Sequence, residues 1–539
     1  MTPPGGENTY SFDEFLDRRN SFDFYRDDPF LQRTVKKFAG AEWESLHAKL
    51  LEFSPRVSFR WRDMADAIAR PEERPYILHY DAHNHRIDRI VRPKDALVLE
   101  KEIFSLGLFS EKTTLWERFA KRFLLHQIGE AGVLCPIACT EGLIALIEYY
   151  PDHGTPELDR ILTHCKEGID GDFAIGAQFM SEIQGGSDIP ANLLRAVPEG
   201  RHYRLYGNKF FCSAMHADYA VVTARVEGSE KVGTFVVPSW LPGDRDRERR
   251  NGCTINRLKW KMGTSELPTA EVDYNGAVAY TVGPTDRGVA NAVGIVLTLS
   301  RIAVGMSSAA AMLRAAREAL MYSRFRDVFG MKIYQFPMAA RQVNNVVEAA
   351  QRTTAGAFRV YDLFLRLGAR LQPGLDSGEP LEMRKKRFDL RELILLQKAL
   401  TAYETVDVIR TAMSIFGGHG VMEEFSSLPR LFRDATVNEL WEGPRNVLLT
   451  QVYRDLLRAS SWYDPAEFAA SILEGAPADR VKELARELKR LLARPLTARD
   501  EDSTRAAGEW EELCDAIFRT YQECSLAEVG RAPIIAGEE

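Results

Sequence analysis

Asn438-Glu439-Leu440-Trp441-Glu442-Gly443-Pro444-Arg445-Asn446, N-E-L-W-E-G-P-R-N in one-letter code, is the stretch from which the chain is best read. It sets a carboxylate, Glu442, between a tryptophan and a glycine. A Gly-rich turn, Phe416-Gly417-Gly418-His419-Gly420, and an Arg433-Asp434 pair precede it. Glu442 is a candidate general base, although the default reading of any single such residue is a charge at a helix start. Glu439, three residues earlier, shares its face if the turn is helical.

Working outward, the spacing predicts a helix over Glu392–Phe416 that stops at Gly417-Gly418, and another from about Asn446 to Arg458. Ser300–Arg324 is rich in Ala, Gly and Ser on several faces, which permits close helix contact. Gln372–Asp389 holds Pro373, Gly374, Gly378 and Pro380 and reads as a long connection. Upstream, Tyr203–Gly207, Ala220–Val226, Gly233–Val237 and Thr269–Tyr274 are β-branched or aromatic runs between turn signals. Trp240–Gly252 is a charged loop among them, read as a solvated insertion in preference to a ligand loop. Thr114–Leu125 is helical in pattern, and Pro136 makes Gly132–Pro136 a loop or helix break. The expected organisation is therefore an arm with short helices over 1–55, a helical domain over 56–170 and an antiparallel β domain over 171–285. A helical bundle over 286–458 and a helical extension over 459–539 complete it.

At 539 residues, 45% apolar and 27% charged, the chain has the composition of a globular protein with room to enclose a cofactor. The net charge of −7 argues weakly against nucleic-acid binding. Residues 461–539 carry 10 Lys+Arg against 17 Asp+Glu, so this segment alone accounts for that charge. Glu141 and Arg301 cut the longest apolar stretches, so no transmembrane helix is expected. Glu7, Asp13, Glu14 and Asp17 fit neither a signal peptide nor a transit peptide. Seven irregularly spaced cysteines point to reduced thiols and a cytoplasmic location. No Cys/His cluster has metal-site spacing; His83 and His85 read as surface residues in a polar loop.

Three further constellations carry chemistry. Gln178–Asp188, Q-F-M-S-E-I-Q-G-G-S-D, combines hydroxyls (Ser181, Ser187) with glycines (Gly185, Gly186) that let a ligand approach the backbone. By itself it is also an ordinary turn. Gly207–Ser213 sets Phe211 two residues before Ser213, a ring and a hydroxyl suited to the face and edge of a planar ligand. Two core phenylalanines in a strand would look the same. Arg324–Pro337 places Arg326 before a Phe329-Gly330 stop, where a guanidinium can pair with a diphosphate or simply end a helix.

In this order the four resemble the acyl-CoA dehydrogenase superfamily over about 170–455. The resemblance implies an α+β fold with a helical N-terminal domain, a β middle domain and a helical C-terminal bundle. It also implies FAD bound without a Rossmann fingerprint, and the chain contains no G-x-G-x-x-G. Met180, Ser181, Gly186 and Ser187 match the family's flavin loop, and Phe211 and Ser213 match its flavin-covering pair. Arg326 matches the arginine that reaches the FAD pyrophosphate of a neighbouring subunit. Phe329 matches the aromatic beside the adenosine, and Gly417 and Gly418 the glycine pair across from it. Glu442 matches the catalytic base. The alternative family position for a base is Ser300 here, which cannot serve. Pro337, Ser414 and Pro444 depart from the family pattern.

Gly132–Pro136, Leu428–Leu431, Val437–Gly443 and the long extension resemble the alkylation-response branch. The implied reaction is α,β-desaturation of an acyl-CoA in fatty acid metabolism: Glu442 takes the α-proton and the flavin takes the β-hydride. An electron-transfer flavoprotein or similar acceptor reoxidises the flavin, and the oligomer is a homodimer or homotetramer. The alternative is an alkylation-response-like flavoprotein with a stress or nucleic-acid-associated role and little dehydrogenase activity. The acidic extension disfavours nucleic acid. A monooxygenase or oxidase is a third reading, and the presence of Glu442 argues against the monooxygenase.

Overall fold

Four short helices, α1 (Asp13–Ser21), α2 (Pro29–Ala39), α3 (Trp43–Pro55) and α4 (Arg62–Ile68), open the computed structural model, which describes residues 10–152, 154–370, 378–496 and 498–537. Asp28 caps α2 by accepting from Leu31 N at 2.8 Å, with Pro29 in the first turn. Its other oxygen accepts from Arg317 Nε at 3.1 Å, and both side chains are sealed from solvent. A buried ion pair therefore ties the N-terminal helices to the centre of the bundle.

The hairpin β1 (Tyr76–Tyr80) and β2 (Arg86–Val91), which periodicity did not predict, is followed by α5 (Lys94–Phe104), α6 (Leu115–His126), α7 (Ala131–Tyr149) and α8 (Pro156–Lys166). The expected break at Pro136 is absent: α7 runs through it. Pro136 lies in the second turn, where it forfeits one bond to Gly132 O, a loss of about 3 kcal/mol in an ordinary helix interior. Burial of most of α7, including Val133, Ile137, Leu143 and Ile147, offsets that loss.

The middle domain holds β3 (Gly176–Phe179), β4 (Arg195–Glu199), β5 (His202–Ser213), β6 (Tyr219–Val226), β7 (Val232–Pro238), β8 (Cys253–Leu258) and β9 (Thr269–Thr281). The path β6-β4-β5-β9-β7 returns to β6, so the sheet closes on itself; β3 lies on β6 and β8 on β9. The expectation of a purely antiparallel sheet needs correcting, because β3 and β4 each pair with β6 in parallel. The long excursion through the β4–β5 hairpin brings the chain back in the same direction. The charged loop after Trp240 docks on β1–β2: Arg250 donates to Asp88 O at 3.0 Å and Arg89 pairs with Glu248.

The C-terminal half begins with α9 (Gly288–Asn291) and a π-helical turn, then α10 (Leu297–Phe325), which is buried on nearly all sides. Next come a minimal hairpin, β10 (Asp327–Val328) and β11 (Met331–Lys332), and α11 (Pro337–Arg366). Of the connection expected over Gln372–Asp389, residues 372–377 lie outside the described residues. From Leu381 onward the chain is helical, since Pro380 is tolerated just before the first turn and Leu390, Leu393 and Ile394 are buried. α12 (Leu381–Leu396) continues through a π-helical segment, Gln397–Thr401, into α13 (Ala402–Ile415). α14 (Leu428–Leu440) and α15 (Arg445–Ala459) flank the opening stretch. Three more helices, α16 (Pro465–Ile472), α17 (Ala478–Leu492) and α18 (Glu501–Val529), form the extension, and α18 packs on α11.

Among the described residues two helical stretches, Ala131–Tyr149 and Gly288–Phe325, are long and apolar enough to cross a membrane by length and composition alone, a test that buried core helices also pass. Their apolar windows are 83% and 72% buried within the protein itself. Both charges are met inside the core, Glu141 by Arg122 and Arg301 by the carbonyl of Glu442. All seven cysteines are free thiols.

Candidate active site

α14 ends at Leu440, and Glu442 takes a left-handed backbone with φ +59°, followed by Gly443 at φ +100°. A non-glycine residue held there is strained. Glu439 and Glu442 therefore do not share a helical face; the helix has ended between them. Three side chains fix the turn. Arg301 Nε donates to Glu442 O at 3.0 Å. Lys398 Nζ donates to Glu439 O at 2.9 Å and Gly443 O at 2.5 Å. Gln178 Nε2, on β3, donates to Glu442 Oε1 at 2.8 Å. Glu442 Oε2 is buried and, among the described residues, without a partner. Burial raises the Glu442 carboxyl above its ordinary range, opposed by Arg301, Lys398 and the Gln178 hydrogen bond. The free oxygen is placed to accept a proton.

That carboxylate lines a largely apolar cavity of about 90 Å³ between α7, α10 and α14. α10 contributes Ser300, Ala303, Val304, Ser307 and Ala311, one helical stripe extending about 16 Å at 1.5 Å per residue. Leu134, Ala138, Leu431 and Ala435 line the opposite walls. Asp434 also faces the cavity. Its Oδ1 accepts from Thr264 N at 2.6 Å, while its Oδ2 is buried without a partner among the described residues. Burial, reinforced by Glu266, pushes its carboxyl up to about 7.

A chain of hydrogen bonds runs from this cavity into the β domain. Lys261 Nζ donates to both Thr264 Oγ1 and Thr269 Oγ1 at 2.9 Å, and Thr269 Oγ1 lies 3.1 Å from Ser213 Oγ. Burial lowers the Lys261 amine to about 8. Ser213 follows Phe211, whose ring is half exposed and has Lys259 Nζ 4.4 Å from its centroid. Ser181 joins the same region, its carbonyl accepting from Phe210 N at 3.0 Å. A Cβ on Gly186 would lie 2.4 Å from Ser181 Oγ, so the exposed Gly186-Ser187 turn folds back onto that hydroxyl. Buried Met180 offers its carbonyl to Lys209 Nζ at 3.1 Å. Lys209 also donates to Glu182 at 2.9 Å, and Glu182 accepts from Leu193 N and Leu194 N, locking the loop.

Arg326, Phe329, Gly417 and Gly418 form a second group. The Arg326 guanidinium lies 4.3 Å from the Tyr10 ring centroid and 5.6 Å from that of Phe12, and Phe12 packs on His419 beside the glycine pair. Phe329 tips the β10–β11 hairpin at φ +50° with 98% of its surface exposed. A Cβ on Gly417 or Gly418 would meet nothing within 4 Å. Among the described residues, no hydrogen bond, ion pair or ring contact joins this group to Glu442 or to the Met180–Ser187 loop of the same chain.

Sequence reading missed the partners of the base. Gln178 stood in the quoted motif without a role, and Lys398, Lys261 and Asp434 went unremarked as site residues. Their signal was available only as isolated polar residues inside apolar helical or strand patterns.

A carboxylate with a free, buried oxygen that lines an apolar slot, between a closed β domain and a helical bundle, is an arrangement suited to taking a proton from a substrate with an apolar chain. The family model for the acyl-CoA dehydrogenase C-terminal domain matches residues 286–457, and that for the middle domain matches 177–277. Acyl-CoA dehydrogenase family member 11 of Caenorhabditis elegans is 30% identical over 453 residues, spanning 80% of this chain and 70% of that protein. AidB of Escherichia coli strain K12 is 30% identical over 410 residues, 72% and 70% of the two chains. In fold the chain is similar to the Bd2924 apo form, with a TM-score of 0.81 at 24% identity over 94% and 98% of the chains. It is also similar to C. elegans ACDH-11 in complex with C11-CoA, with a TM-score of 0.78 at 24% identity over 94% and 87%. The chain belongs to the acyl-CoA dehydrogenase family and to its AidB-like branch.

Proposed function

We propose that this protein desaturates an acyl-CoA thioester between Cα and Cβ, with Glu442 as the base that takes the α-proton. One observation carries this reading: Glu442 Oε1 is anchored by Gln178, while Oε2 is buried and, among the described residues, without a partner in the lining of an apolar cavity. The acyl chain lies along the Ser300–Ala311 stripe of α10. Burial brings the Glu442 carboxyl closer in proton affinity to its substrate than a solvated carboxylate would be. Arg301 and Lys398 oppose that rise and favour the carboxylate form. The Oε2 lone pair receives the proton, and Gln178 holds the carboxylate plane while the charge is lost.

The cofactor is FAD, which when bound accepts the hydride from Cβ and passes the electrons to an electron-transfer flavoprotein or similar acceptor. The residues present fit it. Phe211 offers a half-exposed ring, Ser213 and Thr269 offer hydroxyls at its edge, and the Ser181–Ser187 turn offers backbone N–H groups. Arg326 makes no ion pair among the described residues and is available to a diphosphate. Because the Arg326 group lies apart from Glu442 within one chain, a second copy would bring it to the cofactor, as a homodimer or homotetramer. The exposed Phe329 on a strained hairpin supports such a contact. The seven free thiols accord with a reducing, cytoplasmic setting.

The test is product analysis with a panel of saturated acyl-CoAs and an artificial electron acceptor. A trans-enoyl thioester is expected from the native protein and none from Glu442→Gln. Equal product from both would remove Glu442 from the reaction.

A further inference from the structure

Lys398 is a fully buried amine on the π-helical segment Gln397–Thr401. Among the described residues no carboxylate comes within 4.0 Å of its nitrogen; its partners are two main-chain carbonyls, Glu439 O and Gly443 O. An ammonium buried without a carboxylate in direct contact is expensive, and a wide helical turn at such a place is a frequent mark of function. The segment is held against α10 by a close approach at Gly305, where an added Cβ would lie 2.1 Å from the Gln397 side chain. The two carbonyls bracket the base: Glu439 O is an orphan of the last turn of α14, and Gly443 O lies just beyond Glu442.

We infer that Lys398 is a positioning residue for Glu442, clamping both ends of its turn and adding to Arg301 a second positive charge against which the carboxylate ionises. This rests on Glu442 being the base. The titratable and charged groups facing the pair are Glu439 from α14, Arg301 from α10 and Cys139 from α7. Arg301 holds only the carbonyl of Glu442 itself, so it cannot replace the clamp on either side. Burial brings the Lys398 amine down to about 7, with Glu442 and Glu439 opposing that fall. Its charge is therefore sustained largely by the carboxylates beside it, and losing that charge weakens the reason for Glu442 to ionise.

The experiment uses the flavin-loaded full chain and reads log kcat against pH. Glu442→Gln comes first: turnover in that variant would sink the base itself, a failure distinct from any at Lys398. Lys398→Met is expected to retain flavin, to lose about tenfold or more in kcat at neutral pH with KM within about twofold, and to move the acid limb up by roughly one unit. Removing a cation raises the pKa of the carboxylate it faced, which fixes the direction. Lys398→Arg keeps a charge and is expected to return the limb most of the way. An acid limb unmoved in Lys398→Met, whatever happens to kcat, overturns the inference and leaves Lys398 a packing residue. Should Lys398→Met fail to fold, Lys398→Gln against Lys398→Arg makes the same comparison, and coincident limbs in those two overturn it equally.

Discussion

Gln178 Nε2 donates to Glu442 Oε1 at 2.8 Å across 264 residues of sequence. The contact joins the first strand of the β domain to the turn between α14 and α15. The same Gln178 Nε2 also donates to Ser300 Oγ at 3.2 Å. The side chain that aims the base thus belongs to the domain expected to hold the flavin, so base and cofactor share one frame.

Replacing Gln178 with leucine should leave the fold and flavin in place and shift the acid limb of kcat upward. A hydrogen bond to a charged group contributes about 1.5–3 kcal/mol, which corresponds to roughly one to two pH units. Activity depends on the carboxylate, and Gln178 favours that form, so its loss raises the pKa. Turnover should fall at neutral pH and recover in alkali. An unchanged pH profile would show that the contact does not tune the base.

Arg326→Ala should weaken FAD retention about tenfold or more, the effect of losing a charge-assisted contact to phosphate. The guanidinium rests on Tyr10 and Phe12 and has no carboxylate partner among the described residues, so its removal should cost little stability. Flavin content after extended dialysis is the readout. Full retention in the variant would count against the diphosphate role.

Arg317→Met should destabilise the protein by about 3–5 kcal/mol, because it strands the fully buried Asp28 carboxylate. Arg317 Nε holds that carboxylate at 3.1 Å and joins α2 to α10. Chemical denaturation followed by far-UV circular dichroism measures the loss. A change below about 1 kcal/mol would mean that solvent or another group takes the place of the arginine.

The parts of this architecture written locally were legible in the sequence. The Gly417-Gly418 stop and the Ser181–Ser187 turn are set by neighbours within a few residues, and helix α15 begins within one residue of its expected start. What failed depended on tertiary packing. Pro136 signals a break by local chemistry, yet the buried surface of α7 overrides it. Glu439 and Glu442 have helical spacing, but the left-handed backbone at Glu442 separates them. The parallel pairings of β6 follow from a long-range return of the chain that no strand pattern encodes. Gln178, Lys398 and Lys261 become part of the site only because three separate elements converge on Glu442 and Asp434. Each is unremarkable in its own segment.

The most direct measurement is anaerobic bleaching of the visible flavin band by acyl-CoA, in the native protein and in Glu442→Gln. It reports electrons reaching the bound cofactor without any external acceptor. The native protein should bleach with at least one chain length, and Glu442→Gln should stay yellow while still binding the thioester. Bleaching of Glu442→Gln at the native rate would contradict the assignment of the base, and failure of every acyl-CoA to bleach the native protein would contradict the reaction itself.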